Sequence, residues 1–150
     1  MIKTLSILFL AFALNSCSSS DDTPAEGFSA NPVSGTIYGD EFTYSGGYAS
    51  NINSGGVDKL NITLSASSYN CNDIGTSTPL SISCPKVLGL STTNTILFFK
   101  DLENGEFVNV SSGVQVEIIS IGETVKGKVK GASISENCSI NGTFEVPICF

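Results

Sequence analysis

The chain has 150 residues, with seven lysines against fourteen acidic residues, five cysteines, and no arginine, histidine or tryptophan. That length suits one domain burying about two-thirds of its unfolded surface, with no room for a second. The acidic balance argues against nucleic acid and anionic lipid surfaces as partners, and the lack of histidine removes the usual general base, the Ser-His triad and most zinc sites.

Residues 1–16, "MIKTLSILFLAFALNS", carry Lys3, then an uncharged apolar run from Leu5 to Leu14, then small polar residues. This is the three-part layout of a secretory signal. Crossing a bilayer takes about 20 apolar residues and the run holds roughly half of that, so it reads as a signal to be removed. At its foot Leu14, Asn15, Ser16 and Cys17 resemble a bacterial lipobox: leucine, a variable position, a small residue, then an invariant cysteine. The resemblance implies a diacylglyceryl group on the Cys17 thiol and an acyl chain on its freed amino group. Each buried methylene contributes about 0.8 kcal/mol, so two or three chains hold a protein at a membrane where one is marginal.

Residues 17–150 then carry six lysines and fourteen carboxylates, a formal charge of −8. Setting Cys17 aside leaves Cys71, Cys84, Cys138 and Cys149 as disulfide candidates, an even set that can pair completely in an oxidising envelope. Residues 17–34 read as the lipidated cysteine and a tether, since "SSSDDTPAEGFSANPVS" has too little apolar content to offset its ordering entropy. Its expected reach is roughly 20 to 25 Å.

From Gly35 onward the signal is β throughout, and residues 35–150 are expected to form a single all-β domain. Thr, Ser, Val, Ile and Gly dominate, no stretch has helical periodicity, and turn signals recur. The expectation is an antiparallel sheet forming a β-sandwich or a small half-barrel. In chain order, "GTIYGDEFTY" predicts a hairpin turning at Gly39 and Asp40, with Ile37 against Phe42. "DKLNITLS", Asp58 to Ser65, places Leu60, Ile62 and Leu64 on one face, and a further strand covers Thr95 to Lys100. "VQVEIISIGETVKGKVKG", Val114 to Gly131, predicts a hairpin turning at Gly122 and Glu123. It sets Val116 against Val129, Ile118 against Gly127, and Glu117 against Lys128 on the other face.

In "CSINGTFEVPIC" the positions Ile140, Gly142, Phe144, Val146 and Ile148 alternate with polar ones, and Pro147, which cannot donate to a ladder, belongs at a strand end or edge. If Cys138 and Cys149 end one strand, eleven steps of about 3.3 Å hold them too far apart to bridge. Two arrangements remain open: both cross to Cys71 and Cys84, or Cys71 and Cys84 form a local staple.

The lipobox with its "SSSDD" tract, the opening "SGTIYGDEFTY" and the closing "VKGKVKG" and "INGTFEVPIC" together resemble the small lipoproteins of the Bacteroidetes envelope. The likeness covers the whole chain, and only the lipobox is specific. It implies an outer-membrane lipoprotein with an all-β domain and no established activity, and the serine and acidic tract after the lipidated cysteine implies display on the cell surface.

Catalysis without histidine would rest on paired carboxylates, as in glycoside hydrolysis. The local acidic clusters are Asp40 with Glu41, and Asp101 with Glu103 and Glu106. Neighbours on a strand point to opposite faces, so the first pair cannot flank one bond from regular strand. The second has oxygen donors for Ca²⁺ but not the spacing of an EF-hand loop, and Asn104-Gly105 explains it as a hairpin turn. Tyr38, Phe42, Tyr44 and Tyr48 are an aromatic group suited to sugar stacking or, more simply, to packing on a half-buried sheet. No cofactor is implied. The expectation is a non-enzymatic envelope lipoprotein, bound to the membrane through Cys17, serving as a binding, scaffold or accessory module toward a protein or glycan. The rivals are a carboxylate-dependent glycan hydrolase and a barrel-type carrier of a small apolar ligand.

Overall fold

A computed structural model describes residues 27–73, 79–101 and 103–149. The expected signal sequence, the lipobox-like stretch with Cys17 and the expected tether as far as residue 26 lie outside the described residues. Eleven strands follow in order: β1 Ser34–Ile37, β2 Asp40–Thr43, β3 Gly46–Ser54, β4 Val57–Ser65, β5 Leu80–Pro85, β6 Gly89–Ser91, β7 Thr95–Asp101, β8 Glu106–Val110, β9 Gln115–Ile121, β10 Thr124–Ser133 and β11 Cys138–Cys149. Among the described residues the helical content is one 3-10 turn, Cys71–Asp73. The all-β expectation holds.

The strands hydrogen-bond in the order β6-β9-β10-β11-β3-β4-β5-β7-β8, with β1 joining β11 to β2 off that path, and the sheet does not close into a barrel. Strand β11 belongs to both halves. It runs antiparallel to β10 as far as Pro147, then parallel to β3 at Ile148 and Cys149. Pro147 therefore falls near the strand's end, where pairing passes from one half to the other. We call β6, β9, β10, β11, β1 and β2 half A, and β3, β4, β5, β7 and β8 half B.

The two halves face each other. A Cβ placed on Gly131 of β10 would lie 2.5 Å from Ile96 Cδ1 of β7, and the Tyr38 hydroxyl of half A donates to the Phe98 carbonyl of half B at 3.1 Å. Between them Leu60, Ile62, Leu64, Leu80, Ile82, Ile96, Phe98, Val116, Val125 and Val129 are fully buried. The alternation read from "DKLNITLS" and "INGTFEVP" is the one that fills this interior.

Registers confirm some expectations and correct others. Beyond its turn the β9–β10 hairpin pairs Gly127 with Ile118, Lys128 with Glu117 and Val129 with Val116, as expected. Nearer the turn the register shifts by one, pairing Val125 with Ile121 and Lys126 with Ser120. Ile119 is the extra residue and stays outward, as alternation from buried Ile118 requires; the bulge re-aims the residues after it, setting Ile121 opposite buried Val125 and against the core.

The N-terminal hairpin turns one residue earlier than expected. Ile37 pairs with Asp40 and Phe42 with Gly35, so Tyr38 and Gly39 make the turn. Both have positive φ, 52° and 89°, as a type I′ turn requires. The two-residue change in register leaves Ile37 and Phe42 on the same face, and both are buried.

The tether boundary at residue 34 is also corrected. Val33 is fully buried. Its N–H donates to the Thr143 carbonyl at 3.0 Å, and Thr143 N–H donates to the Asn31 carbonyl at 2.8 Å. The approach is possible because Gly142 has no Cβ, which would lie 2.6 Å from the Val33 backbone.

The disulfide is Cys71–Cys149, closing the 3-10 turn onto the end of β11. Cys138 and Cys149 do not pair with each other, as the strand geometry required. Complete pairing and the Cys71–Cys84 staple are both overturned: Cys84 and Cys138 are free and buried. Each sits on an inward strand position, where a thiol packs as a small apolar group. Even parity of the cysteines therefore lends no support to lipid on Cys17, which rests on the lipobox alone.

Candidate functional site

The outer face of β9–β10–β11 concentrates the polar side chains that the sequence placed opposite the core. Across it Lys128 pairs with Glu117 at 2.8 Å and Lys126 with Glu145 at 3.0 Å. The second pair borders a groove of about 360 Å³ walled by Pro32, Tyr44, Ile119, Thr143 and Phe144. Strand alternation supplies Ile119, Lys126, Thr143 and Glu145, and the N-terminal segment supplies Pro32.

The polar groups of this groove are largely committed to one another. Thr124 Oγ1 donates to Glu145 Oε1 at 3.2 Å, Thr143 Oγ1 donates to the Asn31 carbonyl at 3.2 Å, and the Tyr44 hydroxyl donates to the Glu145 carbonyl. The Lys126 ammonium, hydrogen-bonded to Glu145, holds that carboxyl below its ordinary value, and Thr124 adds to the effect. Burial raises the Tyr44 phenol, partly offset by its bond to the Glu145 carbonyl. A general acid needs a carboxyl pushed up toward neutrality; Glu145 is pushed the other way.

The N-terminal segment completes this face. Ser29 N–H donates to Asn141 Oδ1 at 2.8 Å, and Asn141 Nδ2 donates to the Gly27 carbonyl at 3.3 Å. The Phe28 ring lies 5.8 Å from Lys128 Nζ, within cation–π range. Sequence reasoning missed this wall. The available signals were Phe28 and Val33, large apolar residues in an otherwise polar stretch.

Of the other predicted site residues, Tyr38, Asp40, Glu41 and Phe42 come together along a second groove of about 280 Å³, beside Phe99 and Lys100, whereas Asp101 lies in the β7–β8 turn. Asp40 and Glu41 are both exposed on β2. Asp101 Oδ1 accepts from the N–H groups of Glu103 and Asn104, and its Oδ2 accepts from Asn104 Nδ2 at 2.6 Å. The Asn104 side-chain bond, with the backbone N–H groups, holds the Asp101 carboxyl below its usual value. Both of its oxygens thus serve the turn that joins β7 to β8. Among the described residues, no three His, Cys, Asp or Glu side chains gather as a metal cluster. Of the aromatic group, Phe42 and Tyr48 are buried, Tyr38 is tied to Phe98, and Tyr44 alone lines the first groove.

Neither free thiol is a ready nucleophile. Burial pushes Cys84 up to about 12. Burial also raises Cys138, opposed by the Tyr38 N–H that donates to its sulfur at 3.2 Å. A thiol needs a lowered pKa to react as thiolate.

Comparison with protein families, with curated proteins and with solved structures finds no match. Among the described residues no helix is long and apolar enough to cross a membrane, which says nothing of strands that do so.

Proposed function

We propose that the chain is a lipoprotein of a bacterial cell envelope of the Bacteroidetes type, anchored in the outer membrane through lipid on Cys17 and displayed at the cell surface. Its β domain serves as a non-enzymatic binding, scaffold or accessory module. The observation that carries the anchor is Leu14-Asn15-Ser16-Cys17 at the foot of a short apolar leader, followed at once by "SSSDD". The binding role is supported by the groove beside Tyr44, whose polar groups are engaged with one another, so a protein or glycan laid there meets a preformed surface.

A glycan hydrolase needs two carboxyls flanking one bond, one of them with a raised pKa. Glu117 and Glu145 each hold a lysine, Asp101 holds its turn, and Asp40 and Glu41, though they border one groove, are neighbours on β2, where successive side chains alternate faces. An apolar carrier needs a roomy interior, and the space between the halves is taken by the side chains named above. These observations favour the binding module over either rival.

Replacing Cys17 tests the anchor. Cys17→Ala is expected to abolish metabolic labelling by palmitate and release the protein from membranes; labelling that persists overturns the lipid assignment. Robust turnover of a glycan by the purified mature domain overturns the non-enzymatic reading.

A further inference from the structure

We propose that the open edge of β2 takes up an extended, basic peptide segment of a partner protein as an added strand, with an apolar side chain of that segment seated in the groove between Phe42 and Phe99. This site lies apart from the groove beside Tyr44 and does not depend on the lipid anchor.

The edge is open by register. Ile37 and Asp40 close the two-residue turn, Gly35 pairs with Phe42, and Tyr44 N–H donates to the Val33 carbonyl. In an antiparallel pair, residues that exchange backbone hydrogen bonds alternate with residues that do not. Asp40, Phe42 and Tyr44 are the bonded set, so the N–H and C=O groups of Glu41 and Thr43 point away from β1. Strand β2 pairs with β1 alone, and these groups meet no partner among the described residues. A row of unpaired backbone groups is a template for another chain.

A groove of about 280 Å³ runs beside this edge. Asp40, Glu41 and Phe42 form one wall, and Pro79, Phe99 and Lys100, at the ends of β5 and β7 of half B, form the other. Its size lies at the lower limit of small-molecule pockets, about 300 to 1,000 Å³, and suits single side chains entering from a chain laid along the rim. Main-chain pairing with alternate side chains set into pockets is the strand-addition mode of peptide recognition. A glycan lacks the alternating N–H and C=O groups that such a ladder requires.

Charge selects the kind of peptide. Neither Asp40 nor Glu41 has an ion-pair partner among the described residues. Burial raises the Tyr38 phenol at the end of the groove, and the charges of Glu136 and Glu106 raise it further, so these carboxylates bear on the same corner, against Lys100. Side chains alternate along β2, so an added strand meets Glu41 on one face and Asp40 with Phe42 on the other. A peptide alternating lysine with apolar residues matches both faces.

The same charges set aside two other occupants. Strand β2 of a second copy would bring two sets of Asp40 and Glu41 into one ladder, where like charges are destabilising. Residues 17–26 of this chain, "CSSSDDTPAE", carry Asp21, Asp22 and Glu26 and no lysine.

The probe is a short capped peptide that alternates lysine with valine and phenylalanine, labelled with fluorescein and titrated with the full chain in detergent. Anisotropy reads binding, and amide hydrogen exchange reads its place. The expected result is saturable binding that slows exchange at Glu41 and Thr43. It should weaken about tenfold or more with the double variant Asp40→Asn, Glu41→Gln, with Thr43→Pro, and with the same peptide N-methylated on every amide. All three substituted residues are exposed, and an edge strand tolerates proline where its N–H faces away from the ladder. Equal affinity for the methylated peptide overturns strand addition and leaves a contact of charge alone. Binding with unchanged exchange at Glu41 and Thr43 places the peptide elsewhere and overturns the site, while the groove beside Tyr44 keeps its role. Absence of saturable binding overturns the proposal outright. Dimerisation that rises with concentration and is lost in Thr43→Pro assigns the edge to a second copy and also overturns it.

Discussion

The two halves of the sheet reach a dry interior by different routes. On half B the inward positions carry large side chains, and Leu60, Ile62, Leu64, Leu80, Ile82, Ile96 and Phe98 are all fully buried. On half A the inward positions of β10 alternate valine with glycine, and neighbours take the room: Phe144 at Gly127 and Ile96 at Gly131. Strands β4, β5 and β7 fill the interior with their own side chains, whereas β10 leaves room that Phe144 of the adjacent β11 and Ile96 of half B take. Half A is also the half that receives the N-terminal segment and displays the groove.

That contrast predicts unequal responses to substitution. Phe98→Ala, which removes a fully buried ring from half B, should cost about 3 to 5 kcal/mol, read as a lowered urea midpoint. Gly131→Val on half A should cost less, about 1 to 3 kcal/mol, because the atom in its way is the end of the flexible Ile96 side chain. Adding Ile96→Ala should restore part of that loss, whereas strictly additive effects would mean that the two positions do not share one space.

The smallest effect belongs to the Lys126–Glu145 pair on the outer face. The folded pKa of Glu145 lies below its ordinary value of 4.5. Its contribution is therefore complete above that value and is lost as pH falls through the folded pKa. Wild type should be slightly more stable than Glu145→Gln near neutrality, with the gap closing on acidification. Urea midpoints that differ by the same amount at every pH would show that the ion pair contributes nothing.

How much was legible in the sequence follows the same division. Period-two alternation identified β4, β10 and β11 and the buried face of each, because one-sided burial imposes that period directly, while β7 was legible as a strand without its buried face. The Lys128–Glu117 contact was legible because hairpin register follows from turn position. The bulge at Ile119 was not, since the turn at Gly122 and Glu123 read as a two-residue one gives an unbroken register, and the shift turns Ile121 toward the core. Tyr38 in a left-handed turn was hidden because turn preferences favour Asn or Gly there, and tertiary contacts to Phe98 and Cys138 override them. Gly55-Gly56, which turns β3 into β4 with φ of 63° and 80°, carried an ordinary hairpin signal that was passed over. The groove was illegible because it joins Pro32 and Tyr44 to residues about 100 positions away. The disulfide connectivity depended on strand order, which composition does not encode.

Strand β11 has a kinetic consequence. It pairs with β1, β10 and β3, so both halves lean on the strand that leaves the ribosome after all the others described. Gly35 must wait for Ile140, and Ala49 for Ile148. Contacts of such long range make folding slow, since the cost of loop closure precedes the gain. A chain delayed in this way stays unfolded while it is synthesised, and the export proposed above would draw on that delay.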